Sequence, residues 1–281
     1  MVATLSPSRV ETWTTCPRKF WYSNVARVPG QTWAHFTVGN AVHRALRDWF
    51  ELPRMSRTRA EAQALVRRHW RSSGFRDSAQ AEHWQGLSGA MVWHYVEGLD
   101  PAWEPVSRER FLGTIMAGVP VNGQIDRLDD DPEEPGALVV VDYKTGSSVP
   151  STQTVRSSLA LAIYARIVQD RLRRSCLRVE LHHVPSGTVS SWQHSAESLE
   201  RQCRRVRELI TEIASALSAW ATSAKDQDAL DALFPAQPSP LCGYCDGWSQ
   251  CAAGQARCAQ RQPWDALADS RGDGAELEGL P

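Results

Sequence analysis

Apolar residues recur at helical spacing through the first hundred positions, and then the period changes. Val38, Val42, Ala45, Leu46 and Trp49 form a stripe that predicts a helix from about Thr37 to Phe50, with His43 off the stripe. Two more helical stretches are expected, at about 59–71 and 79–97, before Pro101 and Pro105 break the pattern. Upstream, Ser6-Pro7 reads as an N-cap with proline in the first turn, so a short helix is expected to carry Cys16. From Pro105 the segments 106–116, 119–128 and 138–143 read as strands, separated by Gly118 and an acidic, proline-containing loop. Helix is expected again over 154–173, then a hairpin of 177–184 and 188–194 turning at Pro185-Ser186-Gly187, then a long helix over 197–221. Beyond Phe234 the run PAQPSPLCGYCDGWSQC is too rich in proline and glycine for regular structure, and predicts a loop folded around something other than a hydrophobic core. The pattern is that of an α/β chain, with four expected parts: a helical region over 1–104, a sheet-bearing core over 105–234, a cysteine loop over 235–261, and an acidic, disordered tail over 262–281.

Composition narrows the function classes. The 281 residues are 42% hydrophobic and 22% charged, ordinary globular usage, and no apolar run is long enough to cross a bilayer. The N-terminus lacks the basic and apolar regions of a secretory signal, so a cytoplasmic protein is expected. Net charge is only -1, yet residues 1–76 carry thirteen Lys and Arg against four Asp and Glu. Arginines at 44, 47, 54, 57, 59, 67, 68 and 71 either meet phosphate or line solvated helix faces.

The chemistry concentrates in Gly123-Gln124-Ile125-Asp126 and Val139-Val140-Val141-Asp142-Tyr143-Lys144-Thr145-Gly146, whose Asp142 lies sixteen residues after Asp126. Each acid falls at or near a strand end. Paired strands bring two carboxylates to one point, which suits a hard divalent cation such as Mg²⁺ or Mn²⁺. Lys144, two residues after Asp142, projects to the same side by the period of two. Such a set suits metal-assisted hydrolysis, with the lysine orienting or helping to deprotonate water.

Together these motifs resemble the PD-(D/E)xK nuclease superfamily, in its RecB-like exonuclease branch, which implies a restriction-endonuclease-like mixed sheet flanked by helices. The resemblance makes Asp126, Asp142 and Lys144 catalytic and Gly39-Asn40-Ala41-Val42-His43 the family's G-x-x-x-H, with His43 a further metal ligand beside Asp126, Asp142 and the Tyr143 backbone carbonyl. It also implies a supporting role for Glu109 and a DNA-positioning role for Tyr164. The family's Q-x-x-x-Y motif is incomplete here, because Ala160 stands at the glutamine position.

Seven cysteines in a reducing compartment point to metal before disulfide. Cys242, Cys245 and Cys251 form C-x2-C-x5-C, and Cys16 lies near the other end of the chain. Spacing alone leaves zinc and a cubane cluster open. The chain is similar to AddB-type nucleases and CRISPR-associated single-strand nucleases, which carry this arrangement, and that implies a 4Fe-4S cluster on Cys16, Cys242, Cys245 and Cys251. Cys258 is a substitute ligand, and Cys176 and Cys203 read as buried and inert. The aromatics around the cluster, Trp13, Phe20, Trp21, Tyr22, Tyr244 and Trp248, are expected to pack rather than stack bases.

The implied function is hydrolysis of DNA, single-stranded or at ends, in repair or recombination. No G-x-x-x-x-G-K-[ST] loop is present, so unwinding would need a helicase partner. Two other readings stand beside it: a DNA-binding scaffold whose nuclease site has decayed, and a zinc-stapled protein with no DNA role.

Overall fold

The computed structural model describes residues 4–267. Its centre is a five-stranded mixed sheet in the order β1 (Ser107–Met116), β2 (Val119–Asp130), β3 (Leu138–Lys144), β4 (Arg178–His183), β5 (Thr188–Gln193). All neighbours are antiparallel except β3 and β4. That parallel step needs a crossover, supplied by two helices between β3 and β4. This is the α/β, restriction-endonuclease-like architecture that the motifs imply.

β3 reads as a continuous apolar run because both its faces are covered. Val139, Val141 and Tyr143 pack on one face, against α3 (Ala34–Trp49), α4 (Arg59–His69) and α5 (Ser78–Glu97). Leu138 and Val140 pack on the other, against α7 (Leu159–Leu172) and its neighbours. The N-terminal helices do not stay on one side. α1 (Pro7–Thr15) and α2 (Pro17–Trp21) join α7 and α8 (Ala196–Thr222), where Val10, Trp13 and Phe20 meet Ile163, Ile167, Val206 and Ile210. Leu5 ties this end to the sheet, pairing with Val121 of β2.

Several local expectations change. Cys16 lies between helices, closing α1 and capping α2, because Pro17 restarts the helix after it. A π-helical turn follows at Tyr22–Ala26. The helix expected over 154–173 is broken at Ser158 into α6 (Thr152–Ser157) and α7. Ser158 is extended and its hydroxyl accepts from the Leu161 N–H. A short α9 (Gln227–Leu233) follows α8. The cysteine loop is not wholly irregular: it holds single 3₁₀ turns and α10 (Ala252–Arg257). Of the expected acidic tail, residues 262–267 form a turn that docks on the body, with the Ala34 N–H donating to the Pro263 carbonyl at 3.0 Å. The rest of that tail lies outside the described residues. Among the described residues no helix is long and apolar enough to cross a membrane.

Candidate active site

Asp126 sits where β2 loses its partners on both sides. The ladder to β1 pairs Arg108 with Arg127 and Arg110 with Ile125 but skips Glu109 and Asp126, and the ladder to β3 stops at Arg127–Val141. In place of ladder bonds, the Tyr143 N–H donates to Asp126 Oδ2 at 2.8 Å. The acid therefore spends one oxygen on holding the strand ends together and turns the other towards α3. There the His43 Nδ1–H donates to Asp126 Oδ1 at 3.2 Å.

Glu109 completes a trio. Its φ of 46° lies in the left-handed region, which costs a non-glycine residue on the order of 1 kcal/mol and turns the chain locally out of the strand. Ligand atoms of His43, Glu109 and Asp126 all lie within 4.8 Å of one another. Asp142 adjoins them but faces Lys144, whose Nζ stands 2.7 Å from Asp142 Oδ2. The angle of that ion pair leaves the buried oxygen without an aligned hydrogen bond.

The electrostatics are those of crowded negative charge. Burial, and then repulsion from Asp126, push the Asp142 carboxyl above its usual range despite Lys144. Glu109 is raised for the same two reasons. Burial disfavours the His43 imidazolium, but Asp126 and Asp142 outweigh it and raise that pKa. Lys144 is likewise held charged, because Asp142 first and Glu11 second overcome its desolvation. A lysine held as a cation stabilises negative charge and orients water, and does not take its proton. One histidine and two carboxylates within ligand distance of one another, with the Asp142–Lys144 pair beside them, fit a divalent cation with hard-oxygen preference.

Two glycines allow these approaches. A Cβ at Gly39 would lie 3.3 Å from Thr145 Oγ1, so glycine lets α3 bring His43 down onto the end of β3. A Cβ at Gly123 would lie 2.5 Å from the Tyr164 ring and 3.2 Å from Pro7. Tyr164 therefore lies across β2, and its hydroxyl, with burial and then Asp142 and Asp126 opposing ionisation, stays neutral. Tyr143 sends its side chain into the core, where its hydroxyl accepts from Arg127 at 3.2 Å, leaving only its backbone to the site.

Sequence reading missed Glu11. It lies on α1, and packing of α1 against α7 brings it to Lys144 and Asp142, with the Ala160 backbone N–H facing its carboxylate. Burial raises the Glu11 pKa. Because α7 starts at Leu159, Ala160 is in the first turn of a helix, where backbone N–H groups have no helical partner. The position that lacks a glutamine side chain is thus faced by an acid from another helix. Also missed was a buried network behind the site. Arg127 pairs with Asp129 at 2.9 Å, donates to the Tyr95 hydroxyl at 2.8 Å and lies over Trp103. Tyr95 donates to His182, which donates to Glu180.

Of the arginines that the sequence singled out, Arg44 and Arg47 line the cleft beside Glu109 and Asp126, whereas Arg54 and Arg57 pair with Glu104. Cys16, Cys242, Cys245 and Cys251 surround one small cavity, and no cysteine in the chain forms a disulfide. Cys16 Sγ accepts from the Lys19 and Gln237 N–H groups at 3.4 Å, and Cys242 Sγ from Ser239 at 3.3 Å. Cys258 does not line that cavity; its thiol faces the Pro240 carbonyl. Cys176 and Cys203 are buried. Tyr22 and Trp248 pack at the cavity wall, and Trp13 and Phe20 lie in the core.

A sequence model of the PD-(D/E)XK nuclease superfamily matches residues 4–252, from before the capped first helix to just past the last of the four clustered cysteines. The chain belongs to that superfamily. No curated protein matches the chain in sequence. Its fold is similar to the crystal structure of a candidate exonuclease from Eubacterium rectale, with a TM-score of 0.50 at 10% identity, covering 92% of this chain and 90% of that one. As a PD-(D/E)XK protein it is a nuclease of the divalent-metal-dependent type, and the His43–Glu109–Asp126 trio is a group able to hold such an ion.

Proposed function

We propose that this PD-(D/E)XK protein is a deoxyribonuclease of the RecB-like branch, cutting single strands or DNA ends as an exonuclease in repair or recombination, with any unwinding supplied by a helicase partner. The observation that carries the reading is the His43–Glu109–Asp126 trio at the junction of two clefts, one of which is also lined by Asp142 and Lys144. His43, Asp126, Asp142 and the Tyr143 carbonyl would hold Mg²⁺ or Mn²⁺, with Glu109 beside them. A divalent ion held there supplies Lewis acidity towards a phosphodiester oxygen and lowers the pKa of water. Lys144, kept charged by Asp142 and Glu11, stabilises the charge that develops on the phosphoryl group. Tyr164 offers a neutral hydroxyl to the strand.

The same reading assigns a 4Fe-4S cluster to Cys16, Cys242, Cys245 and Cys251. Four cysteines around one cavity suit tetrahedral zinc as well as a cubane, and the resemblance to AddB-type nucleases is what selects the cubane. Backbone N–H groups aimed at Cys16 and Cys242 are the bonds that stabilise cluster thiolates. The cluster would join residues from opposite ends of the chain, a structural staple for a very long loop.

Anaerobic purification tests both halves. The protein is expected to be brown, to contain iron, and to degrade single-stranded oligonucleotides with Mg²⁺ or Mn²⁺. Asp126→Ala and Lys144→Ala are expected to abolish cutting with the colour retained, and Cys245→Ser to bleach the protein and loosen its fold. Colourless, zinc-containing protein that leaves oligonucleotides intact would overturn the proposal.

A further inference from the structure

One face of α3 carries Phe36, Asn40, His43 and Arg47, at successive steps of four, three and four residues. Two clefts meet along that face. One, of about 650 Å³, is lined by Phe36, His35, Trp84 and Lys144. The other, of about 440 Å³, is lined by Arg44, Arg47, His69 and Glu109. Asn40, His43 and Asp126 line both, so the candidate metal site lies at their junction. The two ends differ in chemistry: one is aromatic, the other cationic.

Phe36 is 60% exposed although it begins a helix whose other large apolar residues are buried. Its ring is braced from one side only. His35 packs on it at 4.3 Å, and Tyr244, from between two of the clustered cysteines, stands edge-on to His35 at 6.1 Å. The ring lines the cleft. At the cationic end, Arg47 and His69 share Asp48, whereas Arg44 has no ion-pair partner among the described residues. An open aromatic face and an unneutralised guanidinium on opposite sides of the reacting centre complement the two halves of a nucleotide chain.

We propose that α3 is a guide for one unpaired nucleic-acid strand: Phe36 stacks on the base to one side of the bond to be cut, and Arg44 binds a phosphate to the other side. The occupant is single-stranded, since bases inside a duplex stack on one another and offer Phe36 no face. The guide rests on the nuclease reading of the adjoining site.

The test reads stacking without cutting. Single-stranded oligonucleotides carrying 2-aminopurine at successive positions are bound to the intact, cluster-containing protein with EDTA present. One position is expected to lose fluorescence on binding, and Phe36→Tyr is expected to keep that quench. Phe36→Ala is expected to abolish it and to weaken binding about tenfold, the scale of one base–aromatic stack. Arg44→Ala is expected to leave the quench and to lower the salt dependence of binding by about one charge. A quench that survives Phe36→Ala, or a blunt duplex bound as tightly as the single strand, would overturn the guide. Metal-dependent cutting by the wild type is measured separately. If the quench follows Phe36 but nothing is cut, the nuclease reading falls and the guide stands.

Discussion

Asp142 and Glu11 show how two acids beside one lysine divide their work. Asp142 pairs with Lys144 on its own strand, a neighbour that the period of two predicts, whereas Glu11 acts on the same ammonium through space from a helix more than a hundred residues upstream. Both keep Lys144 protonated, so removing one lowers its pKa towards the ordinary value. Glu11→Gln is therefore expected to slow cutting about tenfold, the lower end of what one positioned charged group supplies. It is also expected to move the alkaline limb of the pH–rate profile to lower pH. An unchanged alkaline limb would show that Glu11 does not act through Lys144. Asp126, Asp142, Lys144 and His43 could be singled out in the sequence because each sits in a short local motif. Glu11 could not, since nothing in Val10-Glu11-Thr12 distinguishes it from a solvated helical glutamate. The strained φ of Glu109 was equally hidden, since it is imposed by the gap in the sheet.

At the scale of elements, the strands were readable because burial leaves a period. β3 is apolar at four successive positions, being covered on both faces, and β2 alternates. The break at Ser158 was not readable, because a serine that caps a helix and one that decorates its surface look alike in sequence. Its consequence is local to the site, since it sets Ala160 in a first turn with its N–H turned to Glu11. The glycine of G-Q-I-D acts at the same scale, as a seat for Tyr164 and Pro7 on β2. Gly123→Ala is expected to destabilise the fold by about 1–3 kcal/mol through overpacking, seen as a lower melting temperature, and to reduce activity by displacing Tyr164. A variant that melts and cuts like the wild type would mean that α7 has room to withdraw.

At the scale of the whole molecule, the sheet separates two helical layers, and the active site opens where β2 and β3 part between them. The Arg127 network closes the back of that opening. Burial outweighs the attraction of Arg127 and pushes the Asp129 carboxyl up to about 6. In the unfolded chain Asp129 ionises near its ordinary value, so the native state binds this proton more tightly. Stability from this group is therefore full at low pH and declines as pH rises from about 4 to about 6. Denaturant melts across that range are expected to show the decline, and Asp129→Asn to flatten it; a wild-type curve that does not fall there would refute the assignment. The sequence by itself determined the fold class and the order of the motifs, and it singled out most of the candidate site residues, because strand period, helix stripe and motif spacing are properties of neighbouring residues. Only the tertiary structure decided that Glu11 lies in the field of Lys144, that Glu109 turns out of its strand towards His43, that Arg127 is buried behind Tyr143, and that Phe36 stands exposed beside the candidate catalytic cleft. Those are contacts between segments far apart in the chain, and their geometry follows from how sheet and helices pack, which no local pattern encodes.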